Sequence, residues 1–100
     1  MALDEGVLLE RRVYVNGLYD IYSPLLTERQ KKVYEMRCFS DLSLGETAEA
    51  LKITRQAVHI LVGRTVERLL KLEQELGVAS RLEHLENRIK ELETQERGVK

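Results

Sequence analysis

The sequence predicts an all-α chain of five helices, and three observations predict it. Apolar residues recur at three- and four-residue spacing along most of the chain, which is the period of a helix face and not of a strand. Thr27 with Gln30, Ser43 with Glu46 and Ser80 with Glu83 form three capping boxes, in which a hydroxyl and a carboxylate or amide exchange hydrogen bonds with the first turn. One Pro and six Gly in 100 residues are few for a chain of many turns. No strand candidate, repeat or low-complexity segment stands out.

The first helix is expected from about residue 4 to 22, with Leu8, Leu9, Val13, Leu18, Ile21 and Tyr22 at roughly helical spacing. Gly17 inside it costs about 1 kcal/mol relative to Ala. Pro24 ends it, because it pushes Ser23 out of the α region. Thr27 opens the second helix, whose face is Val33, Met36 and Phe39, and the run Ser40-Asp41-Leu42 breaks it. Ser43 opens a short third helix to Leu51, with Leu44, Ala48 and Leu51 on one side. Lys52 and Ile53 form a turn.

Thr54 caps the fourth helix, 55–76, about 33 Å long at 1.5 Å per residue. Its stripe is Val58, Leu61, Val62, Val66, Leu69, Leu72 and Leu76. Gly77 is expected in the left-handed stop position, with Val78 packing back. The fifth helix is expected from Ser80 to about Gln95. Tyr14, Tyr19, Tyr22 and Tyr34 are expected to pack the core with their hydroxyls outward.

Composition narrows the function classes. The chain carries 16 Lys and Arg against 17 Asp and Glu, a net charge of −1. That total hides a gradient: residues 1–51 carry −3, residues 52–71 carry +4 and residues 72–100 carry −2. No apolar run is long enough for a membrane span, and the acidic N-terminus lacks a signal-peptide pattern. The single Cys38 excludes an internal disulfide and fits a reducing cytoplasm. Enzymatic readings find no support, and no cofactor or metal is implied. His59 and His84 lack ligand partners at metal spacing, Cys38 has no His nearby in sequence, and neither a phosphate loop nor a nucleophile elbow is present.

The third and fourth helices have the pattern of a helix-turn-helix: a short helix, a tight turn and a longer helix with a basic start. Ala48 is small where the helices cross, Leu51 and Ile53 bury the turn, and Val58 with Leu61 or Val62 packs the second helix on the first. The start of the fourth helix then faces outward, toward a major groove. Thr54, Arg55, Gln56 and His59 lie there. Arg can pair with guanine and Gln with adenine, while Thr54 and the open N–H groups can hold a phosphate. Ser43, Lys52 and Arg64 complete the expected nucleic-acid-binding set. Helix-turn-helix turns often carry Gly where this chain has Lys52. A side chain there costs about 1–2 kcal/mol in left-handed geometry, so a turn of different shape is expected.

The segment Ser43-Leu44-Gly45-Glu46-Thr47-Ala48-Glu49, followed by Thr54-Arg55-Gln56-Ala57-Val58 and Arg64-Thr65, resembles the YlxM-type helix-turn-helix family. Leu18-Tyr19-Asp20-Ile21-Tyr22 and Leu25-Leu26-Thr27-Glu28-Arg29-Gln30 resemble it too. The resemblance spans about residues 13–76. It implies a fold of sigma factor region 4 type, a small bacterial cytoplasmic DNA-binding regulator, and a role in the signal recognition particle pathway beside whose genes the family is encoded. Sigma-type recognition helices carry Arg, Glu, Arg and Gln where this chain has Arg55, Gln56, His59 and Ile60. Ile60 cannot hydrogen-bond a base, and Leu61 and Gly63 stand where the family is usually polar or basic. DNA, structured RNA and a protein of that particle therefore all remain as candidate partners.

The fifth helix has its own signal. Leu82, Leu85, Ile89 and Leu92 are spaced three, four and three, an a/d heptad seam. A helix of about 15 residues is marginal alone, so the seam needs either the first helix or the same seam in a second chain. Residues 1–79 thus read as one helical domain with the helix-turn-helix at 43–70. Residues 80–97 read as an amphipathic or coiled-coil helix and the dimerisation element of a homodimer.

Overall fold

The computed structural model describes residues 5–98, and side chains from Arg11 on. The expectations placed on Leu8 and Leu9 lie outside the described side chains. Among the described residues there are five α-helices and no strand: α1 Glu5–Tyr22, α2 Glu28–Tyr34, α3 Leu44–Leu51, α4 Arg55–Leu76 and α5 Val78–Gly98. A single 3-10 turn, Ser23–Leu25, joins α1 to α2, and the chain after α2 widens into a π turn, Glu35–Phe39. There the Ser40 N–H donates to Glu35 O at 2.8 Å, one residue beyond α-helical reach.

α1 buries Val15, Leu18, Tyr19 and Tyr22, spaced as one helix face. Val13, expected on that face, is instead exposed, because Val13, Tyr14 and Val15 are adjacent and the face set by Leu18 and Tyr22 admits only Val15. Thr27 forms its capping box as expected, accepting from the Gln30 N–H at 3.1 Å while Gln30 Oε1 accepts from the Thr27 N–H at 3.0 Å. Ser43 and Glu46 do the same at α3, both bonds 3.0 Å.

Two apolar clusters share α4. The first gathers α1, Leu26, Tyr34 of α2, and Leu69 and Leu72 from the C-terminal half of α4. Tyr19 stacks on Tyr34 with ring centres 4.7 Å apart, and Phe39 meets both rings edge-on. The second cluster is that of the helix-turn-helix: Val33, Ala48 and Val58, covered by Leu44, Leu51, Ile53, Leu61 and Val62. Leu76 is exposed and does not complete the stripe.

The tyrosine hydroxyls do not point outward. Tyr19 donates to Glu35, Tyr34 to Asn16, and Tyr22 to Glu73 Oε1 at 2.6 Å. Only Tyr14 is exposed as a whole. Burial raises the pKa of Tyr19, Tyr22 and Tyr34, which keeps them neutral donors. Burial likewise pushes the half-buried Cys38 thiol up, away from the thiolate.

The start of α5 differs from expectation. Gly77 takes the left-handed stop at φ 63°, but the helix resumes at once at Val78, two residues before Ser80. The capping box of Ser80 with Glu83 does not form. Glu73, in the last turn of α4, takes its place: Oε1 accepts from the Ala79 N–H at 2.9 Å and Oε2 from the Ser80 N–H at 3.1 Å. The Tyr22 hydroxyl accepts from the Val78 N–H at 3.0 Å. One carboxylate thus ties α1, α4 and α5 together. Beyond that knot, residues 81–98 are all exposed, and α5 projects from the body. The extents are 63 × 31 × 24 Å and the radius of gyration is 17.6 Å, against about 13 Å for a compact chain of this length.

Candidate nucleic-acid interface

The turn between α3 and α4 is built by backbone bonds. The Ile53 N–H donates to Ala48 O at 3.0 Å and the Lys52 N–H to Glu49 O at 3.3 Å. These are the two bonds of a Schellman stop, with Ile53 folding onto the Ala48 cluster. The stop requires a left-handed residue, and Lys52 supplies it at φ 58°, ψ 45°. The turn therefore keeps its usual shape despite the missing glycine, and the side-chain strain of about 1–2 kcal/mol is carried within it. Lys52 itself is exposed.

Thr54 caps α4, its Oγ1 accepting from the Ala57 N–H at 3.0 Å. The backbone N–H groups of Arg55 and Gln56 precede the first intrahelical bond and face outward. Gln56, Ile60, Gly63 and Glu67 follow at four-, three- and four-residue spacing, all exposed, and form the crest of α4 opposite its buried side. His59 and Arg64 flank the crest, both exposed. The structure thus brings Lys52, Thr54, Gln56, His59 and Arg64 onto one surface.

Arg55 and Ser43 lie apart from it. The Arg55 guanidinium folds back across the turn onto α3, so close to Gly45 that a Cβ there would sit 2.9 Å from it. A side chain at position 45 would displace the flexible guanidinium tip from this place. Ser43 caps the start of α3, about 13 Å along the helix from Lys52. Its N–H donation holds the Glu46 carboxylate below the usual range. An anion approaching Ser43 meets that ionised carboxylate.

The apolar run Ile60-Leu61-Val62 can be buried only in part on sequence grounds, and the structure leaves Ile60 outside; the groove beside the turn is what sequence reasoning missed. Ile60 is 44% exposed in the middle of the crest, an apolar side chain among polar ones. Beside the turn, Arg29, Lys31 and Lys32 line a groove of about 630 Å³ together with the carboxylates Glu28 and Glu35 and with Ala50 and Leu51 of α3. Lys31 also pairs with Glu28 at 2.8 Å. The signal was present as three cations in four residues, but charge averaged over residues 1–51 buried it.

The seam residues of α5, Leu82, Leu85, Ile89 and Leu92, form one stripe, each 42–55% exposed. Leu82 also borders a groove against Val13, Tyr14 and Gly17 of α1. Among the described residues no helix is long and apolar enough to cross a membrane.

A short helix, a Schellman turn and a long helix with an open crest define a helix-turn-helix protein. The chain belongs to the family whose model is described as "Putative helix-turn-helix protein, YlxM / p13 like", also designated UPF0122, which matches residues 9–100. A UPF0122 protein of Listeria welshimeri is 38% identical over 88 residues, covering 88% of this chain and 80% of the relative. Relatives in Desulforamulus reducens and Clostridium botulinum are 46% identical over 67 residues and 44% over 70. Those matches cover 67% and 70% of this chain, and 57% and 64% of the relatives.

Proposed function

We propose that the protein is a DNA-binding regulator that lays the first two turns of α4 into a major groove. Support comes chiefly from the surface that joins Lys52, Thr54, Gln56, His59 and Arg64 around an open helix start. Gln56, at the exposed head of the crest, is the base reader. Lys52, Arg64 and the α2 cations hold phosphates on either side. A regulatory role in the signal recognition particle pathway is what the family resemblance supports. With one acidic crest residue, Glu67, and a net charge of −1, binding is modest and sensitive to salt.

The test is fluorescence anisotropy with a mixed-sequence DNA duplex from 50 to 200 mM salt. The logarithm of affinity should fall with a slope of about −0.9 per phosphate contacted. Lys52→Ala with Arg64→Ala should flatten that slope by about two units. No measurable binding at 50 mM salt, or an unchanged slope in the double variant, refutes the reading. Ile60 favours a second one. Its exposure gives the crest an apolar centre suited to a protein surface, so the same helix could dock a protein or RNA component of the particle. Retention of that particle by the chain, lost on Ile60→Asp while DNA binding is absent, would establish it.

A further inference from the structure

We propose that α5 pairs with α5 of a second copy of this chain in parallel orientation, its direction chosen by the charges beside the seam. In the heptad set by the seam, Leu82 and Ile89 take a positions, and Val78, Leu85 and Leu92 take d positions. Each of these five is more than a third exposed. The stripe runs unpartnered for about 21 Å. Around Ile89 the seam has Ile at a between Leu85 and Leu92 at d, the combination that favours two parallel strands.

The flanking positions commit the occupant. Arg81 and Arg88 take g positions; Glu86 and Glu93 take e positions. In a parallel pair each g residue meets the e residue five positions on in the other chain. Arg81 then faces Glu86 of the second copy and Arg88 faces Glu93, four opposite-charge contacts by symmetry. An antiparallel pair sets g against g and e against e, so Arg meets Arg and Glu meets Glu. The same stripe is thus attractive to itself in one direction and repulsive in the other. In the single chain Arg88 pairs with Glu91 at 3.3 Å, both exposed, and so loose a surface pair yields readily.

α1 borders only the Leu82 end of this seam. It faces Ala79, Glu83 and Glu86 across the groove, about a quarter turn round α5 from Leu85 and Ile89. A second α5 therefore fits beside α1, and the exposed Val13 and Tyr14 widen the apolar surface next to Leu82. The parallel direction places both helix-turn-helix units at one end of the pair. The pairing itself is independent of nucleic acid, and its test uses protein alone.

Sedimentation equilibrium of the full chain should show a dimer. Arg81→Glu with Arg88→Glu turns attraction into repulsion only in the parallel pair, since an antiparallel pair merely exchanges Arg–Arg for Glu–Glu contacts, and should raise the dissociation constant at least about tenfold. Adding Glu86→Arg and Glu93→Arg should restore it. These positions are all exposed, so folding is not at stake. In a Cys38→Ser background, Glu96→Cys falls on the next a position and should oxidise to a symmetric disulfide dimer. A monomeric parent overturns the proposal and leaves the stripe to another protein. A dimer indifferent to the Arg81 and Arg88 reversals, or one that forms no disulfide at 96, also overturns it.

Discussion

Replacing Glu73 with Ala tests whether one carboxylate holds α5 to the body. The change removes the acceptor of three hydrogen bonds: from the Tyr22 hydroxyl at 2.6 Å, and from the Ala79 and Ser80 N–H groups at 2.9 and 3.1 Å. Bonds to an ionised acceptor contribute about 1.5–3 kcal/mol each when buried. Here the site is half open, and water can replace Glu73 at Ser80, which is exposed. Tyr22 is only 2% exposed, so its hydroxyl loses most. The sum should be about 2–4 kcal/mol. Urea unfolding followed by circular dichroism measures it. Hydrogen exchange should show lost protection at Val78, Ala79 and Ser80 with little change at Val33 or Val58. A Tyr22→Phe and Glu73→Ala double-mutant cycle should give a coupling of about 1–2 kcal/mol. A cost under about 0.5 kcal/mol, or strict additivity, refutes the argument.

Burial pushes the Glu73 carboxyl up, but the bonds from Tyr22, Ala79 and Ser80 together outweigh it and leave its pKa below the ordinary 4.5. Its contribution is therefore complete above pH 4.5 and is lost as pH falls through the lowered native value, a loss that Glu73→Gln should flatten in an acid titration of stability. Lys52→Gly should have two opposite effects: relief of left-handed strain, stabilising by about 1 kcal/mol, and weaker binding to duplex DNA, measured by urea unfolding and anisotropy. Thr47 is fully buried, and its Oγ1 has no hydrogen-bond partner among the described residues. Thr47→Val should stabilise by about 1 kcal/mol, and a destabilised variant in urea would show that the hydroxyl has a partner.

What the sequence made legible was set by short-range rules. The caps at Thr27, Ser43 and Thr54 and the left-handed Gly77 depend on neighbours within a turn and formed as read, whereas Val78, expected to pack back behind Gly77, stays exposed. The failures came where a distant group competed. Ser80 and Glu83 have the residues of a capping box, yet Glu73 reaches from α4 to the Ser80 N–H that Glu83 would have accepted from, and the helix has already begun at Val78. Val13 is as apolar as Val15, and only docking on Leu69 and Leu72 of α4 decides between them. The strain at Lys52 was legible, but not its acceptance, which rests on two backbone bonds and the burial of Ile53. Of the expected site, Gln56, His59 and Arg64 depended only on helix period and fell on one surface. Arg55 depended on the space above Gly45, which periodicity does not describe.

α4 gives these parts a mechanical relation. Its N-terminal turns belong to the cluster around Val58, and its C-terminal turns, with Leu69 and Leu72, to the cluster around Leu18 and Tyr22. At its end Glu73 fixes the first turn of α5. A helix is stiff over about 33 Å, so the direction in which α5 leaves the body also sets the direction in which the crest is presented. Loosening Glu73 should then alter two readouts at once. The dimer would persist, because all of its seam except Val78 lies beyond the knot. The two crests, however, would no longer be held at one spacing. Glu73→Ala should leave the sedimentation result unchanged while lowering affinity for a duplex long enough to engage both crests. Affinity for a duplex that spans only one should not change. Equal losses on the two lengths would show that each helix-turn-helix works alone.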